Sequence, residues 1–199
     1  MSYTIMDYGD FSRTLNRIVF GNSKQDLLEK IAKNPHRYVG LFRPTRPETK
    51  IIQNILQSNE IRFGDALEKL FEQYFIIKGF EILSKKIVND NDDELNLDHF
   101  MLKNGKYYFI EQKVRDDHDS SKKRGQVSNF ERKLEMLVKQ YKITDILCYF
   151  YFVDPDLIKN KKFYKNEIEL ISQDYGVLCK LCYGNELFDE LGISDVWIE

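Results

Sequence analysis

The sequence predicts an α/β protein with one central mixed sheet flanked by helices. Three stretches carry that expectation. Residues 61–80, IRFGDALEKLFEQYFIIKGF, repeat apolar residues at three- and four-residue spacing, the mark of a helix with one buried stripe. Residues 95–114 read as two strands joined by Asn104-Gly105, the strongest short-range hairpin signal. DILCYFYFV is an unbroken, aromatic-rich run, as a central strand covered on both faces requires.

In order along the chain, Phe11–Phe20 and Lys24–Lys33 are expected as short helices, and Asn34-Pro35 ends the second. HRYVGLFRPTRPETK is irregular because Pro44 and Pro47 bar a helix through it, and it holds Arg37, Arg43, Arg46 and Lys50 against the single acid Glu48. A helical pattern follows through IIQNILQ, and residues 61–80 form the clearest helix, with Phe63, Leu67, Leu70, Phe71, Tyr74 and Ile77 as its core stripe and Gly79 as its stop. FEILSKKIV is a strand, NDNDDE an acidic connector, and RDDHDSSKKRGQ a polar loop. Helix Val127–Tyr141 then leads into DILCYFYFV, helix Asn166–Asp174 into strand GVLCKLCY, and Asn185–Leu191 is a last short helix. The sheet-forming part thus runs α-β-β-β-α-β-α-β, one sheet sandwiched by helices. Residues 61–199 are expected to be its core, with residues 1–60 a helical and irregular segment.

At 199 residues, 42% hydrophobic and 31% charged, the chain can bury a real core and is not broadly disordered. Its net charge of −2 argues neither for nor against a nucleic-acid partner. No stretch approaches a membrane span, and MSYTIMDYGD lacks a basic region followed by an apolar run, so a soluble, unexported protein is expected. Three cysteines give no disulfide framework. Cys179 and Cys182 have the spacing of a metal knuckle, but on a strand they point to opposite faces, so buried structural thiols are the better reading.

The hairpin holds the chemistry. A two-residue loop pairs residues equidistant from it, so Phe100 faces Phe109 and Asp98 faces Glu111. Asp98, Phe100, Glu111 and Lys113 then share one face. Two opposed carboxylates about 5 Å apart at Cβ repel each other unless a cation lies between them. Hard divalent cations want such oxygens, and Lys113 could orient a hydrolytic water beside them. Glu-x-Lys on a strand can also be a plain surface ion pair; the register with Asp98 and the upstream helix bearing Glu68 favour the metal site.

The order helix with Glu68, strand, strand with Asp98, strand with Glu111-x-Lys113, helix, strand resembles the core of the PD-(D/E)xK nuclease superfamily. Glu111 follows Asp98 by thirteen positions, and Leu97 stands where the motif's name puts proline. Gly64-x-x-x-Glu68 resembles the helix preceding that core, and EQKVRDDHDSSKKRGQ is similar to type II restriction endonucleases of the HinfI/TdeIII kind. The resemblance covers roughly Ile61 to Val153. It implies a restriction-endonuclease-like fold and an intracellular prokaryotic enzyme that cleaves double-stranded DNA at a specific sequence, leaving 5′-phosphate ends. It further implies Mg²⁺, with Mn²⁺ able to substitute, at Asp98, Glu111 and Glu68, Lys113 as the group that orients water, and a homodimer that cuts both strands.

A DNA partner has separate support from charge. Nine Lys/Arg against five Asp/Glu fall between Lys113 and Lys142, and Lys122, Lys123 and Arg124 stand just before Gly125-Gln126, where the helix opens. Arg115, Asp116, Asp117 and His118, one step beyond the catalytic strand, could read base edges, and Gln126, Arg43 and Arg46 join them as DNA-contacting candidates. A solvated, self-neutralising loop is the plainer alternative. Residues 1–60 are expected to contact DNA or to dimerise. His99 falls on the face opposite Asp98 and reads as a core or interface histidine. A junction resolvase, a repair nickase and a non-catalytic DNA-binding protein of the same fold are the rival functions.

Overall fold

Asn104 and Gly105 both adopt left-handed backbone, φ 53° and 77°, which is the geometry that twists a two-residue hairpin correctly. In this computed structural model, which describes residues 5–39, 45–88 and 94–198, the turn joins β4 (His99–Lys103) to β5 (Lys106–Lys113). Their register pairs Lys103 with Lys106, Leu102 with Tyr107, Phe100 with Phe109 and His99 with Ile110, as the turn predicts.

A five-stranded sheet is built around β5. Its order is β1 (Glu81–Ile82), β4, β5, β6 (Ile146–Phe152) and β7 (Leu178–Tyr183). The first two pairings are antiparallel and the last two parallel, so the sheet is mixed. Parallel strands need a crossover, and helices supply both: α4 (Ser120–Glu135), which continues as a π-helical turn over Met136–Gln140, between β5 and β6, and α5 (Lys161–Tyr175) between β6 and β7. On their side of the sheet Phe130 of α4 stacks on Phe109 at 5.3 Å and meets Phe150 edge-on at 5.5 Å, while Tyr164 of α5 covers Phe150 and Phe152. On the other side Phe75, from the end of α3 (Pro47–Ile77), packs with Phe188 of α6 (Glu186–Glu190), and Phe188 in turn meets Tyr151. A short α7 (Asp195–Ile198) closes this side, its Trp197 against Phe188. Strand β6 is therefore covered twice, as its aromatic run requires. Cys148, Cys179 and Cys182 are free and buried.

The chain divides into a unit of residues Met6–Phe71 and one that holds Ile5 together with the residues from Glu72 onward, so the division falls inside α3. The first unit contains α1 (Tyr8–Phe20), capped by the Asp7 carboxylate on the Gly9 N–H, and α2 (Ser23–Lys33). The Arg62–Asp26 ion pair ties α2 to α3.

Several expectations need correction. The pattern through IIQNILQ and the helix of residues 61–80 are one continuous helix of 31 residues, with Pro47 in its first turn, where a missing N–H is harmless. Its buried side is Ala66, Leu70, Phe71, Tyr74 and Phe75; Phe63 and Ile77, at the ends of the expected stripe, are exposed. FEILSKKIV is not one strand: β1 joins the main sheet, whereas β2 (Lys86–Val88) pairs with β3 (Glu94–Asn96) in a separate ribbon. The hairpin's first arm breaks correspondingly at Leu97 and Asp98, between β3 and β4. Helix α4 begins at Ser120 rather than Val127, because Asp119 accepts hydrogen bonds from the Ser121 and Lys122 N–H groups and caps it. Most of NDNDDE lies outside the described residues.

His99 is wholly enclosed: its Nε2 lies 2.9 Å from Gln112 Oε1, and its ring meets Phe75 edge-on. Burial, the largest influence, pulls its pKa from 6.5 down to about 4. The imidazole is neutral in the fold, and below pH 6.5 the unfolded chain takes up a proton that the folded one refuses. Stability from this group is therefore complete above pH 6.5 and is lost as pH falls from 6.5 to 4, by about 3 kcal/mol at most. Urea unfolding at pH 7 and pH 5 should show this loss in the wild type and a smaller one in His99→Gln.

Candidate active site

Where β3 and β4 part, Asp98 is left at the edge of the sheet beside Glu111 on β5. Its Oδ2 accepts from the Gln112 N–H at 2.8 Å, a side-chain bond just beyond the last strand pair, His99 with Ile110, and this sets the carboxylate against Lys113. Lys113 Nζ lies 3.2 Å from Asp98 Oδ2, 2.8 Å from Glu111 Oε1 and 2.8 Å from the Gln112 carbonyl. The three expected residues are thus together, and on the expected face.

Two further residues belong to the cluster, and sequence reasoning missed them. Lys133 of α4 places its Nζ 2.6 Å from Glu111 Oε2 and 3.4 Å from Asp98 Oδ1. Asn129, one turn earlier, donates to Glu111 Oε1 at 3.3 Å. Lys133 is only 4% exposed. A signal for it existed: Phe130, Lys133, Leu134 and Leu137 lie on one face of the helix, so a lysine interrupts an otherwise apolar stripe.

Burial of this group disfavours every charge in it. For Asp98 that pressure would raise the pKa, but the ammonium groups of Lys113 and Lys133 and the Gln112 N–H outweigh it and hold the carboxyl below its ordinary value. Burial would likewise strip the proton from Lys113; the Glu111 and Asp98 carboxylates prevail and hold its pKa above the ordinary value. The site is a set of buried charges stable only together.

Its donors suit a hard divalent cation. Asp98, Glu111 and the Gln112 carbonyl turn three oxygens toward one ammonium, and carboxylate and carbonyl oxygens are what Mg²⁺ selects. Among the described residues no group of three or more His, Cys, Asp or Glu side chains converges. Glu68 lies on α3 in the N-terminal unit, whereas Asp98, Glu111 and Lys113 lie in the other.

The DNA-contacting candidates separate into three groups. Arg115, Asp117, Lys122 and Arg124 are exposed, as is Arg46 beside the start of α3. Lys123, Gln126 and His118 are half-buried: Lys123 Nζ bonds Asn160 Oδ1 at 3.2 Å and sits over the Phe163 ring, and Gln126 Oε1 accepts from the Tyr164 hydroxyl at 2.7 Å. Burial and the adjacent Lys122 lower the His118 pKa. Asp116 is a correction. It is fully buried, accepting from the Asn160 N–H and Nδ2, both at 2.8 Å, and from the Tyr183 hydroxyl at 3.0 Å, so it cannot reach a base edge. Asp116→Asn should cost about 2 kcal/mol by setting an amide donor against those donors, measurable as a lowered urea midpoint. Lys122, Lys123, Arg124 and Gln126 belong to α4 and not to a loop. Arg43 lies outside the described residues.

A mixed sheet whose hairpin sets Asp98 against Glu111-x-Lys113, followed by a parallel crossover helix, defines a nuclease core of the PD-(D/E)xK type. The family model described as "Type II restriction endonuclease, HinfI" matches residues 8–92 and 77–199. The chain belongs to this family of type II restriction endonucleases. No curated protein matches it. Among solved structures it is similar to Can2 from Sulfobacillus thermosulfidooxidans in complex with cyclic tetra-adenylate, with a TM-score of 0.41 and 12% identity over 96% of this chain and 53% of that one. The chain thus spans about half the length of that protein. No helix among the described residues is long and apolar enough to cross a membrane.

Proposed function

We propose that the protein cleaves double-stranded DNA at a specific sequence in a Mg²⁺-dependent reaction that leaves 5′-phosphate ends. The observation that supports this most is the gathering of Asp98, Glu111 and the Gln112 carbonyl around the Lys113 ammonium. In this reading Asp98 and Glu111, with the Gln112 carbonyl, hold the metal. When bound, Mg²⁺ supplies positive charge to the reacting phosphate and lowers the pKa of water. Lys113, kept charged by its two carboxylates, orients the attacking water and stabilises the negative charge that develops on the phosphate. Gln112 holds Asp98 in place through its N–H. Glu68 enters this reading through the resemblance alone.

Charge at the starts of α4 and α5 supports a duplex partner. Lys123, Lys159 and Lys162 line a shallow depression of about 370 Å³ between the starts of α4 and α5, and Lys122 and Arg124 are exposed nearby in sequence on α4. Cations so placed suit the phosphate backbone, which fixes register while other groups read bases. Two active sites related by a two-fold axis would cut both strands of a palindrome, so the proposed working form is a homodimer.

Digestion of a sequenced plasmid with Mg²⁺ or Mn²⁺, with the ends mapped, tests the proposal. Discrete fragments with 5′-phosphate ends at one recurring sequence are expected. Preferential cutting of four-way junctions or mismatched duplexes would favour a resolvase or nickase, and no cutting with either metal would overturn the enzymatic mechanism proposed here.

A further inference from the structure

Lys133 is the one charged member of the site that the reaction above does not use. Asp98 and Glu111 carry two negative charges, and Lys113 and Lys133 two positive ones, so the cluster is neutral before any metal arrives. Each carboxylate gives one oxygen to each lysine: Lys113 takes Asp98 Oδ2 and Glu111 Oε1, and Lys133 takes Asp98 Oδ1 and Glu111 Oε2. Lys133 is also held in place. It follows Phe130 and precedes Leu134, both fully buried, and its own side chain is 6% exposed, so it cannot swing to solvent while α4 stays packed. A cation entering this site must either take an oxygen from Lys133 or accept its repulsion at short range.

We propose that Lys133 is a built-in counter-ion: it holds the Asp98–Glu111 pair together in the metal-free protein and weakens divalent-cation binding to it. The proposal rests on the metal-site reading above. Lys133 is in this sense a positioning residue. It substitutes for the missing positive charge between two carboxylates that would otherwise repel each other, and it opposes the metal for the same reason.

Mn²⁺ binding to the DNA-free protein, followed by electron paramagnetic resonance of the unbound ion, tests this without any cleavage step. Lys133→Met keeps the length and apolar stem and removes the charge, and it is expected to bind Mn²⁺ roughly tenfold tighter than the wild type or more. Lys133→Arg keeps the charge and is expected to stay within about twofold of the wild type, which a merely structural role for the side chain would not predict. Asp98→Asn combined with Lys133→Met should abolish the gain. Circular dichroism checks that each variant folds, and Lys133→Gln, which retains a donor for Glu111, makes the same comparison if Lys133→Met does not. If the uncharged variants bind no tighter than the wild type while Asp98→Asn still removes binding, the counter-ion proposal is wrong and the metal site stands. Binding indifferent to Asp98→Asn in every background would overturn both.

Discussion

Asp98→Asn is expected to lower Mg²⁺-dependent cleavage on the order of 10³-fold while the chain remains folded. Asparagine keeps the shape of the side chain and an oxygen for the Gln112 N–H, which lies 2.8 Å from the carboxylate in the wild type. What disappears is one of the two negative charges that make the site attractive to a divalent cation. Glu111 is then left against both Lys113 and Lys133, an excess of positive charge exactly where a metal should sit. Some stability goes as well, about 1–3 kcal/mol, since two buried ammonium groups lose part of their compensation. Initial rates on plasmid DNA, set beside the thermal unfolding midpoint, separate the two effects. Cleavage undiminished in a well-folded variant would remove Asp98 from the catalytic site.

Phe130→Ala is expected to be the most destabilising single truncation near the site, by about 3–5 kcal/mol. Phe130 is fully buried, stacked on Phe109 and edge-on to Phe150, and so joins the crossover helix to the two central strands. The thermal midpoint should fall by roughly 10 °C. Activity should fall further than stability explains, because Phe130 fixes the turn of α4 that carries Asn129 and Lys133 onto Glu111. Differential scanning calorimetry together with cleavage below the lowered midpoint measures both. A variant with unchanged stability would show that α4 is not anchored through this ring.

The hairpin was legible because its information is local. Asn104-Gly105 specifies a turn with positive φ at two successive residues, and that turn dictates which residues oppose one another, up to His99 and Ile110. The interior place of β6 in the sheet was legible from an aromatic strand set between helical patterns. Other features depend on distant pairing. The split of FEILSKKIV into β1 and β2 follows from which partner each half finds, Met101–Leu102 for one and Glu94–Asn96 for the other. Asp116 reads as a surface acid in a run of charged residues, and its burial depends on Asn160 and Tyr183, 44 and 67 residues away.

By itself, then, the sequence determined the α/β class, the hairpin register and the placing of Asp98, Glu111 and Lys113 on one face, because turn chemistry and the two-residue period of a strand act over a few residues. The tertiary structure alone decided that Lys133 and Asn129 join the cluster of Asp98, Glu111 and Lys113 and that Asp116 is buried. Helical periodicity says which residues share a side of α4, but only packing against the sheet says that this side brings a lysine, 22 residues from Glu111, to within 2.6 Å of its carboxylate.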